Sequence, residues 1–327
     1  MANSYSALNV TIRLFEQRLM TADDFKQLWS LTSDDAIRQK LADHHYPVSE
    51  GADFERIFDQ RLNQDYDELY EMAPDARVLD LFALRFDYHN LKVLFKEQIS
   101  KRDLSDLYLP YGHYDVDELR ALIKGDAVEH LPAPLKQAVL DVNSAYREQH
   151  DANVISLLFD LGYLNHMKLL AHEINDSAIE EWVVRWIDLK NLVMGLRMQQ
   201  EDRSRGFMFV TLSNQGSITE TEWVEVLQNH DKAGLLTLTK RVTDDVQIQK
   251  VLQEDKINIA KLEHAIEMVQ ARLMQSAQLQ AFGPLPVMSY LYFLSHEISN
   301  LRLVITAKHN DLEQSTIEER MQPIYES

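Results

Sequence analysis

The chain has 327 residues, with 52 Asp and Glu against 33 Lys and Arg, and a formal charge of −19. Apolar residues make up 45%, enough for a core, which excludes wholesale disorder; nine glycines and eight prolines are too few for the turns of an all-β fold. The charge repels polyanions and anionic headgroups, so nucleic acid is excluded and any membrane is expected to be met through protein.

With no cysteine, the sequence offers no disulfide, thiol nucleophile or Cys metal ligand. The length suits two or three domains, and helices are expected throughout, because no proline interrupts the chain between Pro134 and Pro284. Met1 to Val10 lacks the basic start and apolar block of a signal peptide, so a soluble, cytoplasmic chain is expected. Thr21 with Asp24 has loose capping-box spacing and opens a short amphipathic segment, Asp24 to Leu28. His44-His45 reads as a solvated helix end. Asp53 to Asp80 is the densest acidic stretch, with nine acids against three arginines, and reads as a solvated face.

Residues 82–98 then read FALRFDYHNLKVLFKEQ, and Leu109-Pro110-Tyr111-Gly112 follows as a loop. A second short segment, Glu118 to Leu122, precedes residues 183–199, VVRWIDLKNLVMGLRMQ, and the loop Ser213-Asn214-Gln215-Gly216-Ser217. Thr219 with Glu222 has capping-box spacing before a third segment, Trp223 to Leu227. Gly283 to Leu294 is the most apolar stretch, but its roughly twelve residues fall short of the roughly twenty of a membrane span. A last helix should start at Pro284 and Pro286, include YFLSHEISNLRLVITAK at 292–308, and end near Lys308.

These three long segments repeat one another. Anchored on the acid they give Asp87-x-x-Asn90-Leu91, Asp188-x-x-Asn191-Leu192 and Glu297-x-x-Asn300-Leu301, with the acids 101 and 109 residues apart. Leu81, Leu84, Tyr88, Leu91 and Phe95 match Leu291, Leu294, Ile298, Leu301 and Ile305 in spacing. The second copy supplies Trp182, Arg185, Leu189, Leu192 and Leu196, with Arg185 the departure. That spacing paints one apolar stripe along an amphipathic helix and sets acid and asparagine side by side next to it. Two elements in the same order three times argue for triplication, with domains at 1–105, 106–215 and 216–327. The expected fold is all-α. A buried acid must be paired, so each acid and asparagine reads as a hydrogen-bonded anchor fixing how helices cross inside its domain; the functional alternative makes them three partner contacts. Trp29, Trp182, Trp186 and Trp223 read as core packing.

Signatures of catalysis are missing. The glycines never come close enough for a phosphate loop. His172-Glu173 and His296-Glu297 begin like zinc-protease helices, but Asp176 and Asn300 stand where the second histidine belongs. Asp115-x-Asp117 lacks the glycine and closing acid of a calcium loop. Asp23-Asp24, Asp34-Asp35 and Asp244-Asp245 lack the third acid of the aspartate-rich magnesium helix of a terpene-cyclase-like enzyme, and Asn175 to Glu180 misses that family's second metal spacing. They read as acids at helix starts. No catalytic, cofactor-binding or metal-binding residue is assigned.

The third copy, with Tyr290, Glu297, Asn300-Leu301-Arg302 and Ile305, is followed by Ile317-Glu318-Glu319-Arg320-Met321 and Tyr325. It resembles the C-terminal signature of the C subunits of bacterial and archaeal V/A-type rotary ATPases, whose eukaryotic vacuolar homologue is the d subunit. Tyr290-Leu291 and Glu297-x-x-Asn300-Leu301-Arg302 match, while Leu294-Ser295 stand where that family usually has Lys-Glu. The resemblance implies a funnel of three similar helical domains around a pseudo-threefold axis. It implies a non-catalytic rotor subunit on the cytoplasmic side of the membrane, joining the central shaft to the proteolipid ring without inserting into the bilayer and without a cofactor. It leaves open H⁺ or Na⁺ as the ion, and pumping or synthesis as the direction. An acidic surface should steer basic groups on shaft or ring. The rival readings are a cytosolic helical scaffold unrelated to ion transport and an α-helical metalloenzyme.

Overall fold

The structure is a computed structural model and describes residues 5–49, 51–109, 111–150, 152–318 and 320–326; Pro110 of the first loop and Glu319 of the C-terminal signature lie outside them. Among the described residues there are sixteen α-helices, a 3-10 turn at Ser105–Leu107 and no strand. In order they are α1 (Ser6–Glu16), α2 (Ala22–Ser30), α3 (Asp34–Asp43), α4 (Phe54–Met72), α5 (Arg77–Ser100), α6 (Val116–Lys124), α7 (Ala133–Gln149) and α8 (Ala152–Ile174). Then follow α9 (Ser177–Gln200), α10 (Arg205–Thr211), α11 (Glu220–Gln228), α12 (Lys232–Val242), α13 (Val246–Gln253), α14 (Ile259–Ala277), α15 (Leu285–His309) and α16 (Gln314–Glu318). None is long and apolar enough to cross a membrane among the described residues.

The three short segments are the nine-residue helices α2, α6 and α11, and the three long ones are α5, α9 and α15. Local chemistry sets the short helices' starts. Thr21 and Thr219 each accept from the backbone three residues on, and Asp24 and Glu222 reach back to the cap amides, so both capping boxes are complete. Asp115 caps α6 by accepting from Asp117 N. Asp34 and Asp35, like Asp23 and Asp24, stand in first helical turns, and Asp245 caps α13.

One compact unit comprises Met1–Phe82 with Glu267–Ser327. Its centre is α15, where every residue from Pro286 to Ser295 is buried. The expected stripe is all buried, but α15 is more than amphipathic: helices α1 and α4 pack on it, and a helix enclosed on all sides needs apolar residues all round. Phe15 meets the Tyr290 ring edge-on at 5.4 Å. Burial also explains Leu294-Ser295: the leucine is core, and Ser295 satisfies its hydroxyl on Leu291 O in its own helix.

The other unit is Ala83–Ile266. Here α7 and α8 form an antiparallel hairpin, α8 packs on α9, and α9 receives α11 and α12. Phe95 and Phe159 meet edge-on at 6.0 Å, and Trp223 is wholly enclosed; cutting Trp223 to alanine would cost about 3–5 kcal/mol.

Several sequence readings need correction. Trp223 alone of the tryptophans is core. Trp29, Trp182 and Trp186 are half-buried, the last two stacked 6.2 Å apart with Lys190 over the Trp186 ring. In α6 the enclosed apolar residues are Leu119 and, just past the segment's end, Ile123, while Leu122 is half-buried. His44 is a half-buried cap held by Arg18 O and Asp24, not a solvated end. Within the acidic stretch, Arg61 and Asp65 are core, not a solvated face.

Candidate functional site

The three asparagines do the same thing. Asn90 Nδ2 donates to Leu109 O and its Oδ1 accepts from Leu109 N, both at 2.8 Å. Asn191 clasps Ser213 O and N at 2.7 and 2.9 Å, and Asn300 clasps Gln322 O and N at 3.0 and 2.7 Å. Each side chain acts as a short strand edge for one residue of the segment 19 to 22 positions further on, satisfying a backbone donor and acceptor together.

The three acids also share a task. Asp87 accepts from Tyr114 N at 3.1 Å, just before the Asp115 cap of α6. Asp188 accepts from Ile218 N at 3.2 Å, just before the Thr219 cap of α11, and from Ser217 N and Oγ at 3.0 and 2.6 Å. Glu297 accepts from Met20 N, just before the Thr21 cap of α2, and from the Tyr46 hydroxyl at 2.6 Å. In every copy the carboxylate therefore holds the entry to a short helix. That helix lies beyond the acid's own repeat: the first copy's acid holds the second copy's helix, the second holds the third's, and the third holds the first's. With boundaries at 105 and 215, the three acids and Asn90 reach across to the next copy, whereas the Asn191 and Asn300 clasps stay inside their own.

Burial sets the electrostatics. It raises the pKa of Glu297, with the hydrogen bonds from Tyr46 and Met20 N offsetting part of the rise, and it raises Asp188 against the bonds from Ser217 and Ile218. Glu222 goes the other way: the Arg241 guanidinium at 2.6 Å and the Thr219 cap bonds hold it at about 2. Burial raises Asp24 too, yet hydrogen bonds from Lys40 and Thr21 outweigh it and hold the carboxyl well below the usual range.

Arg302, the seventh signature residue, belongs to the third copy's outer side. Its Nε donates to Glu55 at 2.7 Å and its Nη2 lies 3.5 Å from Asp59, tying α15 to α4. Tyr290 joins a buried network that the sequence did not reveal: Arg61 donates to Asp65 at 2.7 Å, His44 O at 2.9 Å and Tyr290 at 3.2 Å, while Tyr290 itself donates to Asp65. Two glycines matter beyond their loops. Gly112 and Gly216 press against Asp87 Oδ1 and Asp188 Oδ1, where a Cβ would overlap the carboxylate. Both stand three residues before a helix cap, a regularity the sequence carried.

Beside the clasps, matching positions differ in closure. Four residues after Asn191, Gly195 lets Leu227 of α11 close in so tightly that a Cβ would overlap it. The same offset from Asn300 gives Val304, which lines an open cleft of about 520 Å³ with Phe25, Trp29, Met268 and Ile317. From Asn90 it gives Leu94, lining a cleft of about 420 Å³ with Arg120 and Ile123. Among the described residues no group of three His, Asp or Glu side chains gathers as a metal shell.

Helices repeated in order, each with a buried acid and asparagine gripping backbone rather than facing a cavity, define a helical repeat protein. The chain belongs to the ATP synthase (C/AC39) subunit family, whose model matches residues 8–320, and with it to the V/A-type ATPase C subunits. It is 29% identical to the C subunit of the V-type sodium ATPase of Enterococcus hirae, over 98% of this chain and 99% of that one. Against the A-type ATP synthase C subunit of Methanocaldococcus jannaschii it is 21% identical over 96% and 85%, and against that of Haloquadratum walsbyi 23% over 94% and 95%. Family membership decides against a scaffold unrelated to ion transport.

Proposed function

We propose that the chain is the non-catalytic central-stalk subunit of a rotary ATPase, a peripheral protein on the cytoplasmic side that couples the central shaft to the membrane proteolipid ring. Its three parts, 1–105, 106–215 and 216–327, form a funnel around a pseudo-threefold axis. The observation that carries this reading is the cyclic order of the clasps, with Glu297 holding the entry to α2 as Asp87 and Asp188 hold the entries to α6 and α11. A cycle closed by its own ends can resist twisting without any partner, which a torque adaptor needs. The relatives' names, covering nearly the full chain, supply the complex. The ion is H⁺ or Na⁺, and the exchange runs towards transport or towards ATP synthesis.

Reconstitution tests it. In vesicles holding the complex without this chain, ATP hydrolysis should persist while ATP-driven ion uptake disappears, and adding the chain should restore uptake. Uptake that is unchanged without it, or hydrolysis by the chain alone, would overturn the reading. The acidic surface should make shaft binding weaken with salt; affinity independent of salt would remove the steering role.

A further inference from the structure

Among α2, α14, α15 and the C-terminal segment, the third copy holds a cleft of about 520 Å³ that its own structure keeps from closing. Trp29 stands eight residues after the Thr21 cap, as Leu227 does after Thr219. In the second copy Leu227 is wholly enclosed, because Gly195 leaves room for it on α9. Val304 takes the matching place on α15, and Trp29 stays half-buried, lining the cleft. Helix α2 cannot swing in, since both its ends are tied to α15: Glu297 holds Met20 N, and Lys308 Nζ donates to Trp29 O at 2.6 Å. The C-terminal segment is fixed as well. The Asn300 clasp holds Gln322, Gln275 Nε2 donates to Glu326 O, and Tyr325 is buried edge-on against Phe293 at 5.5 Å. A space propped open between fixed walls is a preformed pocket, and its size falls within the roughly 300–1,000 Å³ of small-molecule sites.

The second copy also indicates the chemistry of the occupant. There the corresponding space takes the aliphatic side chain of Leu227. Here Phe25, Trp29, Met268, Val304, Ile317 and Pro323 offer an apolar lining to a longer alkyl group. The charged residues of the cleft are of both signs and come from different elements: Lys26 and Arg272 from α2 and α14, Glu318 and Glu326 from the C-terminal segment. Lys26 also meets Asp23 at 3.0 Å, a contact between two exposed side chains that a competing anion can displace. Two cations with two acids suit a head that carries phosphate and ammonium together, and the charge of −19 on the whole chain disfavours an anionic one. We propose that this cleft binds a single-chain zwitterionic amphiphile of the lysophospholipid class, its alkyl chain against Trp29 and Val304, its phosphate on Lys26 and Arg272 and its ammonium on Glu318 and Glu326. This site goes beyond the rotary reading and does not depend on it.

The test titrates the full chain with 1-lauroyl-lysophosphatidylethanolamine below its micelle concentration, read by calorimetry and by tryptophan emission. Two amphiphiles of the same chain length carry charge of one sign only: 1-lauroyl-lysophosphatidate, which lacks the amine, and dodecylammonium, which lacks the phosphate. Expected is saturable binding of one zwitterion per chain, with a change in emission that Trp29→Phe removes, since the other three tryptophans lie outside the cleft. Either single-signed amphiphile should bind at least about fivefold more weakly. Lys26→Gln/Arg272→Gln and Glu318→Gln/Glu326→Gln should each weaken the zwitterion by about fivefold. All four side chains are exposed, so the melting temperature should stay within about two degrees of wild type. Uptake that does not saturate, equal affinity for all three amphiphiles, or binding that both double variants leave unchanged would overturn the proposal.

Discussion

The first two clasps and the third reach the same result by different means. Asp87 and Asp188 are short, so the backbone ahead of α6 and α11 must come right up to them, and a glycine stands two residues before each gripped amide, at Gly112 and Gly216. Glu297 is one methylene longer. The position two residues before Met20 is Arg18, whose guanidinium lies 4.2 Å from the Phe15 ring centre. The difference follows from covalent connection. At the first two junctions acid and helix are close in sequence and a glycine turn delivers the backbone, whereas at the third they come from opposite ends of the chain. A longer arm, with the Tyr46 hydroxyl as second donor, reaches the Met20 amide without a glycine before it.

The largest effect should come from filling the glycine space. Gly216→Val would drive a Cβ into Asp188 Oδ1, pull a buried carboxylate off Ser217 and Ile218, and cost about 3 kcal/mol or more in urea unfolding. Arg18→Ala, at the matching place, should cost about 1 kcal/mol or less, since it removes a partly exposed cation 3.9 Å from Asp65. Similar losses for both would mean that the longer acid does not relieve the glycine requirement.

Asparagine truncation should rank the junctions next. Asn191→Ala strands the N–H and C=O of Ser213, which is fully buried, and should cost about 2–4 kcal/mol. Asn300→Ala strands those of Gln322, half-buried in the C-terminal segment, where water can replace the side chain, and should cost about 1 kcal/mol. Equal costs would show that the terminal clasp is as closed to water as the internal one. Thr219→Ala, which removes a capping box without touching a clasp, should fall near 1 kcal/mol.

Much of this was legible in the sequence. A period of roughly a hundred residues exposed the acid–asparagine pairs, because a polar pair beside an apolar stripe is conspicuous at helical spacing. The helix starts were legible in Thr21, Thr219 and the prolines at 284 and 286, since caps are local chemistry. What the anchors grip was not. Their partners are backbone amides, and an amide at Met20 looks like any other until the fold places it against Glu297. Arg61 and Asp65 misled for a related reason: charged residues four apart on a helix read as a solvated face, and only tertiary enclosure turns them into a buried pair. The glycines were readable in hindsight, as a repeated offset from the next helix cap.

The pH dependence offers the finest discrimination, because two acids should tilt the stability profile in opposite senses. Glu297 sits above its ordinary value, so the native state holds its proton more tightly than the unfolded chain does. The unfolding free energy attached to it must fall as pH rises from the ordinary carboxylate value through the raised one. Glu222 sits at about 2, so its contribution is complete above the ordinary carboxylate value and is lost as pH falls towards 2. Against wild type between about pH 3 and 7, Glu297→Gln should therefore gain relative stability as pH rises. Glu222→Gln should lose it over the same range, by about a degree or two of melting temperature, given the exposure of the Arg241 pair. Tilts of the same sign would mean that the third clasp is held as an ordinary ion pair, and its longer arm would then have to be explained by charge rather than by reach.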